Sequence, residues 1–260
     1  MLNIVIIGTG NAATVLGKKL CAAGHQIIQV YGRNKENAQK LAGLLKSVPV
    51  SEWTEILTTA DIYLLAVADD VIEEVSNHLQ VKNKILVHTA GSVSKNVLSK
   101  ASERFGVLYP LQSLRKEMEP LTAVPLFIDA SDEQTLKLIY ELAMSISKQV
   151  TVADDMERMK LHVAAVFSNN FSNYMYMLAE QYCKKENLHF KHLLPLINET
   201  ATKLQYNPPS LSQTGPASRG DKKTIQRHEE LLNDYPTMKE VYQFLTAKIS
   251  ELNKEKDTGN

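Results

Sequence analysis

Two stretches decide the fold. The first is Leu2-Asn3-Ile4-Val5-Ile6-Ile7-Gly8-Thr9-Gly10-Asn11-Ala12-Ala13. The second, after a helix-like interval, is Ile27-Ile28-Gln29-Val30-Tyr31-Gly32-Arg33-Asn34. Both begin as apolar runs of the buried-strand kind, and the first breaks at a Gly-x-Gly-x-x-Ala turn, so residues 2–34 read as strand, turn, helix, strand. Gly8 can take the backbone angles of a tight strand-to-helix turn. Gly10 leaves the backbone bare for a pyrophosphate, and Ala13 is small enough for helix and strand to pack closely. The helix opening near Asn11 offers unpaired N–H groups and the positive end of its dipole to phosphates; Gly24 is placed to cap its far end. The motif alone is weak, and a glycine turn in another open α/β sheet is the plain alternative. Its position after a strand and before a helix makes this a dinucleotide-binding unit, with Gly8, Thr9, Gly10, Asn11 and Ala12 as the expected contacts.

The end of the second strand selects the nucleotide. An NAD site carries Asp or Glu there to bind the adenosine ribose, whereas this chain has Gly32-Arg33-Asn34. A guanidinium pairs with a 2′-phosphate through parallel hydrogen bonds, and a carboxylate would repel it. NADP is therefore the expected cofactor, with Arg33 and Asn34 on the phosphate. The alternative is that Arg33 is a solvated loop charge and Asn34 caps the next helix, residues 35–45. Asn34 can do both.

At 260 residues the chain suits two domains. Basic and acidic residues balance at 29 each, which points away from nucleic acid or a membrane surface as partner. Cys21 and Cys183 lack metal-ligand or disulfide-framework spacing and read as thiols of a reducing compartment. The first apolar run is too short for a signal peptide, and the run at 62–68 is far too short for a membrane span. A cytoplasmic protein without a metal is expected, with a polar tail frayed from Lys254.

Strand and helix signals alternate to about residue 152. Strands are expected at 48–50, 61–67, 84–88, 107–109, 126–128 and 149–152. Short helices are expected at 52–58, 69–79 and 95–102, and a longer one at 133–147. This alternation predicts an α/β fold: a Rossmann-type, mostly parallel sheet with helices on both faces. Beyond it the pattern is all-α, with one long helix over 154–187 and others at 192–205, 222–233 and 237–253. The expected domains are 1–153, binding the dinucleotide, and 154–260, serving substrate and dimerisation.

Ligands of such sheets lie beyond the carboxyl ends of the strands. Three loops fall there. Ala66-Val67-Ala68 is small enough for a cofactor to lie against its backbone; the Asp69-Asp70 that follows is either a carboxylate pair for acid–base work or, the preferred reading, a helix cap. Thr89, Gly91 and Ser92 stand where the nicotinamide end is expected. Gln112 and Ser113 follow Tyr109-Pro110-Leu111 and are candidates for hydrogen bonds to substrate or carboxamide. Ordinary loop hydrogen bonding is the alternative for each polar residue.

On the long helix, His162, Val166, Asn169 and Asn173 share one stripe at helical spacing. Leu161, Ala165, Ser168, Ser172 and Ala179 form an adjoining stripe of mostly small residues, suited to a closely packed helix, including one across a dimer. His162 and Asn169 are candidate catalytic residues, His162 donating a proton to a carbonyl or imine, and Asn173 a substrate contact. The alternative is a hydrogen-bonded interior histidine. In Thr214-Gly215-Pro216-Ala217-Ser218-Arg219-Gly220-Asp221, Arg219 and Asp221 either reach a ligand, with Arg219 anchoring a substrate carboxylate, or form an ion pair on a packed loop.

These segments together carry a family resemblance. Gly8–Asn11, Gly32–Asn34, Ala66–Asp69, His88–Ser92, Tyr109–Ser113 and Thr214–Asp221 resemble the NADP oxidoreductases of unassigned substrate that pair a Rossmann-like domain with a helical C-terminal domain of unknown function. A histidine often precedes Pro-Leu-Gln in such proteins, and Tyr109 takes its place here, which counts against proton transfer at that position. The architecture is more distantly similar to pyrroline-5-carboxylate reductases, ketopantoate reductases and deazaflavin-dependent NADP reductases. That resemblance implies a homodimer through the helical domain and hydride transfer at the interdomain cleft. The lysine that β-hydroxyacid dehydrogenases place on the first long helix has no match, since Lys160 lies off the His162 stripe. The expected function is an NADP-dependent oxidoreductase acting on a small carbonyl, imine or hydroxy compound. The alternatives are a non-catalytic NADP-binding sensor or interaction protein on the same fold, and hydride exchange with a deazaflavin or flavin.

Overall fold

In the computed structural model, which describes residues 1–117 and 123–258, β1 (Asn3–Ile7) runs directly into the glycine turn with four of its five residues buried. α1 (Asn11–Ala22), β2 (Gln26–Tyr31), α2 (Lys35–Leu45) and β3 (Val48–Val50) complete the first crossover units. β4 (Ile62–Leu65), α3 (Ile72–Asn77), β5 (Ile85–His88), β6 (Arg104–Pro110), β7 (Leu126–Ala130), α4 (Glu133–Ile146) and β8 (Val150–Val152) follow. They form one sheet in the order β3-β2-β1-β4-β5-β6-β7-β8. All pairings are parallel except β6 with β7, which is antiparallel. This is the Rossmann-type, mostly parallel sheet expected from the alternation.

Strand side chains alternate between two buried layers, as a sheet covered on both faces requires. Ile4, Ile6, Ile62 and Leu64 pack on one face with Leu16 and Leu20 of α1 and Leu41 and Leu45 of α2. Val5, Ile7, Tyr63 and Leu65 pack on the other with Ile72 and Val75 of α3. The expected helices at 52–58 and 95–102 are single 3₁₀ turns, Trp53–Glu55 and Lys95–Leu98, and the helix expected from 69 opens as the 3₁₀ turn Asp69–Val71 before α3.

The helical region expected at 154–187 is continuous but not uniform. α5 (Asp155–Ala165) passes into a π-helical segment, Val166–Phe171, before α6 (Ser172–Lys185). Asp154 caps α5 reciprocally with Glu157, its carboxylate accepting from the Glu157 N–H at 2.8 Å. A π turn takes up an extra residue, so α-helical spacing does not carry across it. Asn173, just beyond it, belongs to the second of two compact units, and His162, Val166 and Asn169 to the first.

Two compact units result, Met1–Phe171 and Ser172–Asn260. The last strand ends at Val152, while α5 and the π segment belong with the sheet. Their anchor is Arg158, described below.

In the second unit α6 is followed by α7 (Leu194–Lys203), the short α8 (Pro209–Ser212) and α9 (Pro216–Arg219), α10 (Lys222–Leu231) and α11 (Pro236–Thr258). The stretch between the helices expected to end at 205 and to begin at 222 thus contains two short helices, α8 and α9. α11 reaches Thr258, past the residue where fraying was expected to begin; the last two residues lie outside the described ones. α9 packs on α11, and Gly220 ends it with a φ of 68°, a left-handed angle suited to glycine. Within this unit the His228 ring and the Tyr242 hydroxyl are 3.0 Å apart, and Lys185 lies 5.0 Å from the Tyr235 ring centre. Among the described residues, no helix is long and apolar enough to cross a membrane, and no His, Cys, Asp or Glu cluster could hold a metal ion.

Candidate functional site

The ends of β1, β2 and β4 open on a cavity of about 610 Å³. Its walls include Gly8, Thr9, Gly10, Asn11 and Ala12, then Arg33 and Asn34, then Ala66, Val67 and Ala68. Ten of the thirteen expected cofactor contacts are thus gathered around one space. Gly8 sits at φ 121°, and a Cβ there would fall 2.2 Å from the Ala66 carbonyl oxygen, so this position excludes any side chain. A Cβ on Gly10 would meet nothing within 4 Å, which leaves open space over the backbone at the start of α1. Asn34 lines the cavity and also caps α2, its side-chain oxygen accepting from the Asn37 N–H at 2.9 Å. Trp53, the only tryptophan of the chain, completes the wall and stacks on Tyr31 at 4.0 Å between ring centres. Its signal in the sequence was too slight to single it out.

The other three expected contacts lie outside this lining. Thr89 is buried, its hydroxyl 3.4 Å from the Leu65 carbonyl. Ser92 donates to the Asp69 carboxylate. Gly91 serves a different neighbour: a Cβ there would fall 2.5 Å from the Tyr109 ring. No side chain of the Asp69-Asp70 pair makes a described cap hydrogen bond to the turn or helix it begins. Asp69 instead ties the β4 loop to the β5 loop.

A second cavity, about 640 Å³, opens beyond β6 in the same unit. It brings together Gln112, Ser113, His162 and Asn169, the four expected catalytic residues, with Tyr109, Val166, Ser168 and Asn170. The Tyr109 hydroxyl lies 3.1 Å from His162 Nδ1, and Asn169 donates to the Ser113 hydroxyl. Burial, and after it the Asp69 carboxylate, raise the Tyr109 phenol above its ordinary range and keep it protonated. The residue expected to matter least for proton transfer is therefore the partner of the candidate acid. The loop after β6 also reaches the first cavity, where the Lys116 N–H donates to the Asn11 side chain at 3.3 Å. Asn173, Arg219 and Asp221 belong to the second unit. Asp221 caps α10 there, accepting from the Thr224 N–H at 3.1 Å and the Thr224 hydroxyl at 2.7 Å.

Beneath these loops lies a buried ionic cluster that sequence patterning does not reveal. Arg158, fully buried, donates to Asp129 at 3.1 Å, to the Ala153 carbonyl at 2.8 Å, and to Asp155. Lys95 pairs with Asp129 at 2.7 Å, and Ser94 donates to Asp155. Burial opposes ionisation of Asp155, but the hydrogen bonds from Ser94, Lys95 and Arg158 outweigh it and hold the carboxyl below its ordinary range. The cluster ties the first turn of α5 to β7 and to the loop after β5, one helical turn below His162.

His88, at the end of β5, is buried beside this cluster. Its Nδ1 accepts from the Ala90 N–H at 3.2 Å, so the neutral ring carries its proton on Nε2. Burial, then the Arg158 charge, lower its pKa to about 4. The unfolded chain takes up this proton near pH 6.5. The contribution of the neutral ring is thus complete above pH 6.5 and is lost as the pH falls from there towards 4, by about 3 kcal/mol in all. Asp155 gives way only at lower pH, because its folded pKa is depressed. Urea midpoints should therefore fall between pH 7 and 4.5 in the native chain and fall less in His88→Gln. Equal losses in both would assign the pH dependence to other groups.

The comparisons with known proteins agree with this geometry. A family model described as "NADP oxidoreductase coenzyme F420-dependent" matches residues 3–91, and the domain of unknown function DUF2520 matches residues 124–249. A solved structure from Bacteroides fragilis, described as "putative NADP oxidoreductase BF3122", is 38% identical, with a TM-score of 0.91, over 96% of this chain and 98% of that one. The chain belongs to this NADP oxidoreductase family. NADP is the cofactor this membership assigns, and the glycine cradle, the open face over Gly10 and the guanidinium of Arg33 fit a dinucleotide with a 2′-phosphate.

Two more distant solved structures share the architecture. A 1-pyrroline-5-carboxylate reductase from Streptococcus pyogenes is 15% identical, with a TM-score of 0.64, over 96% of this chain and 98% of that one. A reductive aminase from Aspergillus terreus, solved with NADPH and ethyl levulinate, is 13% identical, with a TM-score of 0.73, over 98% and 94%. At these identities the likeness is one of fold. No curated protein matches the sequence.

Proposed function

We propose that the protein transfers hydride between NADP(H) and a small carbonyl, imine or hydroxy compound, with His162 as the acid. The observation that carries this reading is the contact of His162 with the Tyr109 hydroxyl in a cavity beyond β6, whose following loop reaches the nucleotide cradle through Lys116 and Asn11. Bound NADPH supplies hydride to the substrate carbon. The π pair of the substrate moves onto its oxygen or nitrogen, which takes the Nε2 proton of protonated His162. The ring is left neutral, its Nδ1–H still donating to the Tyr109 oxygen, and solvent restores the proton. Tyr109 acts as a positioning residue, its ring held over Gly91. Asn169, Ser113 and Gln112 orient the substrate. Thr89, Gly91 and Ser92 support the nicotinamide end by shaping the loop. Asn173, Arg219 and Asp221 remain proposed substrate contacts from the helical unit.

The test is NADPH oxidation over a panel of small ketones, oxo acids and imines. His162→Asn is expected to lower kcat about 10²- to 10³-fold without changing NADPH affinity, and Tyr109→Phe to displace the alkaline limb of the pH profile. Tight NADPH binding with no acceptor consumed would favour the sensor alternative.

The helical unit also supports the proposed homodimer. Tyr206, Leu211 and Phe244 are 77%, 76% and 62% exposed, side chains that a second copy could cover. Sedimentation should return twice the mass of one chain; a single-chain mass at micromolar concentration would remove the dimer.

A further inference from the structure

The second cavity has a chemical character that selects among substrates, and the inference rests on the function proposed above. Its polar wall is built from neutral groups: the amides of Gln112, Asn169 and Asn170 and the hydroxyl of Ser113. The two asparagines are consecutive residues of the π-helical segment, and both line the cavity. Among the described residues, the titratable groups of the lining are His162 and Tyr109. The fixed charge that acts on the Tyr109 hydroxyl is the negative one of Asp69.

We propose that this cavity takes an uncharged carbonyl compound bearing a hydroxyl or carboxamide arm, and that it discriminates against carboxylates. An anion moved from water into such a wall loses hydration that neutral amides do not repay; pairing with the protonated His162 would withhold the proton that the reaction needs, and Asp69 adds repulsion. A hydroxyl or carboxamide exchanges its water for the donors and acceptors of three amides at little cost. This differs from the expectation that Arg219 anchors a substrate carboxylate, and the two can be set against each other.

The experiment uses two matched pairs of probes: hydroxyacetone against pyruvate, and N,N-dimethyl-4-oxopentanamide against 4-oxopentanoate. Binding to the full-length protein loaded with NADP⁺ is read by saturation-transfer NMR, and turnover by NADPH oxidation. In the same samples, quenching of Trp53 reports whether the cofactor is bound. The expected result is at least tenfold tighter binding of the neutral member of each pair. Asn170→Lys should then narrow or reverse that preference by about tenfold, through attraction of the acid to the new charge. Acids bound as well as or better than their neutral partners would overturn the inference and leave the oxidoreductase reading standing. An accompanying loss of acid binding in Arg219→Ala would assign the anchor to that residue. Quenching of Trp53 by NADPH with no probe bound would also overturn it, since the cavity would then not admit small ketones. Absence of quenching would remove the cofactor reading itself, and the inference with it.

Discussion

Arg33→Ala is expected to weaken NADPH binding about 10- to 100-fold while changing NADH binding little, because a charge-assisted pair with phosphate is worth roughly 1.5–3 kcal/mol. Arg33 stands two residues beyond the end of β2 and lines the cradle together with the glycine turn. Gly32 allows this approach: a Cβ there would fall 2.6 Å from the Thr9 methyl. Trp53 provides the readout, since it is the only tryptophan and lies in the same wall. Equal weakening of both nucleotides would place Arg33 on a part they share. Unchanged NADPH affinity would make it a solvated charge and leave Asn34 as a helix cap alone.

The second large effect is on stability. Arg158→Met should lower the unfolding free energy by about 3–5 kcal/mol, because it leaves Asp129 and Asp155 without the buried cation that satisfies them. For a chain of this size that corresponds to a fall in Tm of about 10 °C. Arg158→Lys should lose part of this, since an ammonium keeps the charge but cannot span Asp129, Ala153 and Asp155 as the guanidinium fork does. Urea unfolding with an unchanged m-value measures the difference. A loss below about 1 kcal/mol would mean that Lys95 alone satisfies Asp129 and that the cluster does not secure α5.

The nucleotide cradle was legible because its determinants are local. Gly8, Gly10 and Ala13 act through backbone angles and close packing within one strand-turn-helix unit, and Arg33 sits at the end of the strand that follows. The strands were legible for the same reason: Ile4 to Ile7 and Ile62 to Leu65 are apolar without interruption, as strands buried on both faces must be. The second cavity was legible only in part. Spacing placed His162, Val166 and Asn169 together but carried the stripe on to Asn173, because nothing in Val166–Phe171 announces a π turn.

What lay beyond reach of the sequence depends on contacts between distant segments. Tyr109 and His162 are separated by 53 positions, and Arg158 and Asp129 by 29. No periodicity links such pairs. Arg158 on a helix reads as a solvated charge until the sheet closes over it, and Gly91 reads as a cofactor contact until the Tyr109 ring is seen above it. The sequence by itself determined the sheet, its glycine cradle and the cation that stands beside it, since strand burial, turn geometry and helix dipoles are written in neighbouring residues. Only the tertiary structure decided the partner of His162, the amide wall of the second cavity and the ionic anchor beneath it, because the contacts of Tyr109 with His162 and of Arg158 with Asp129 create environments that none of those segments possesses alone.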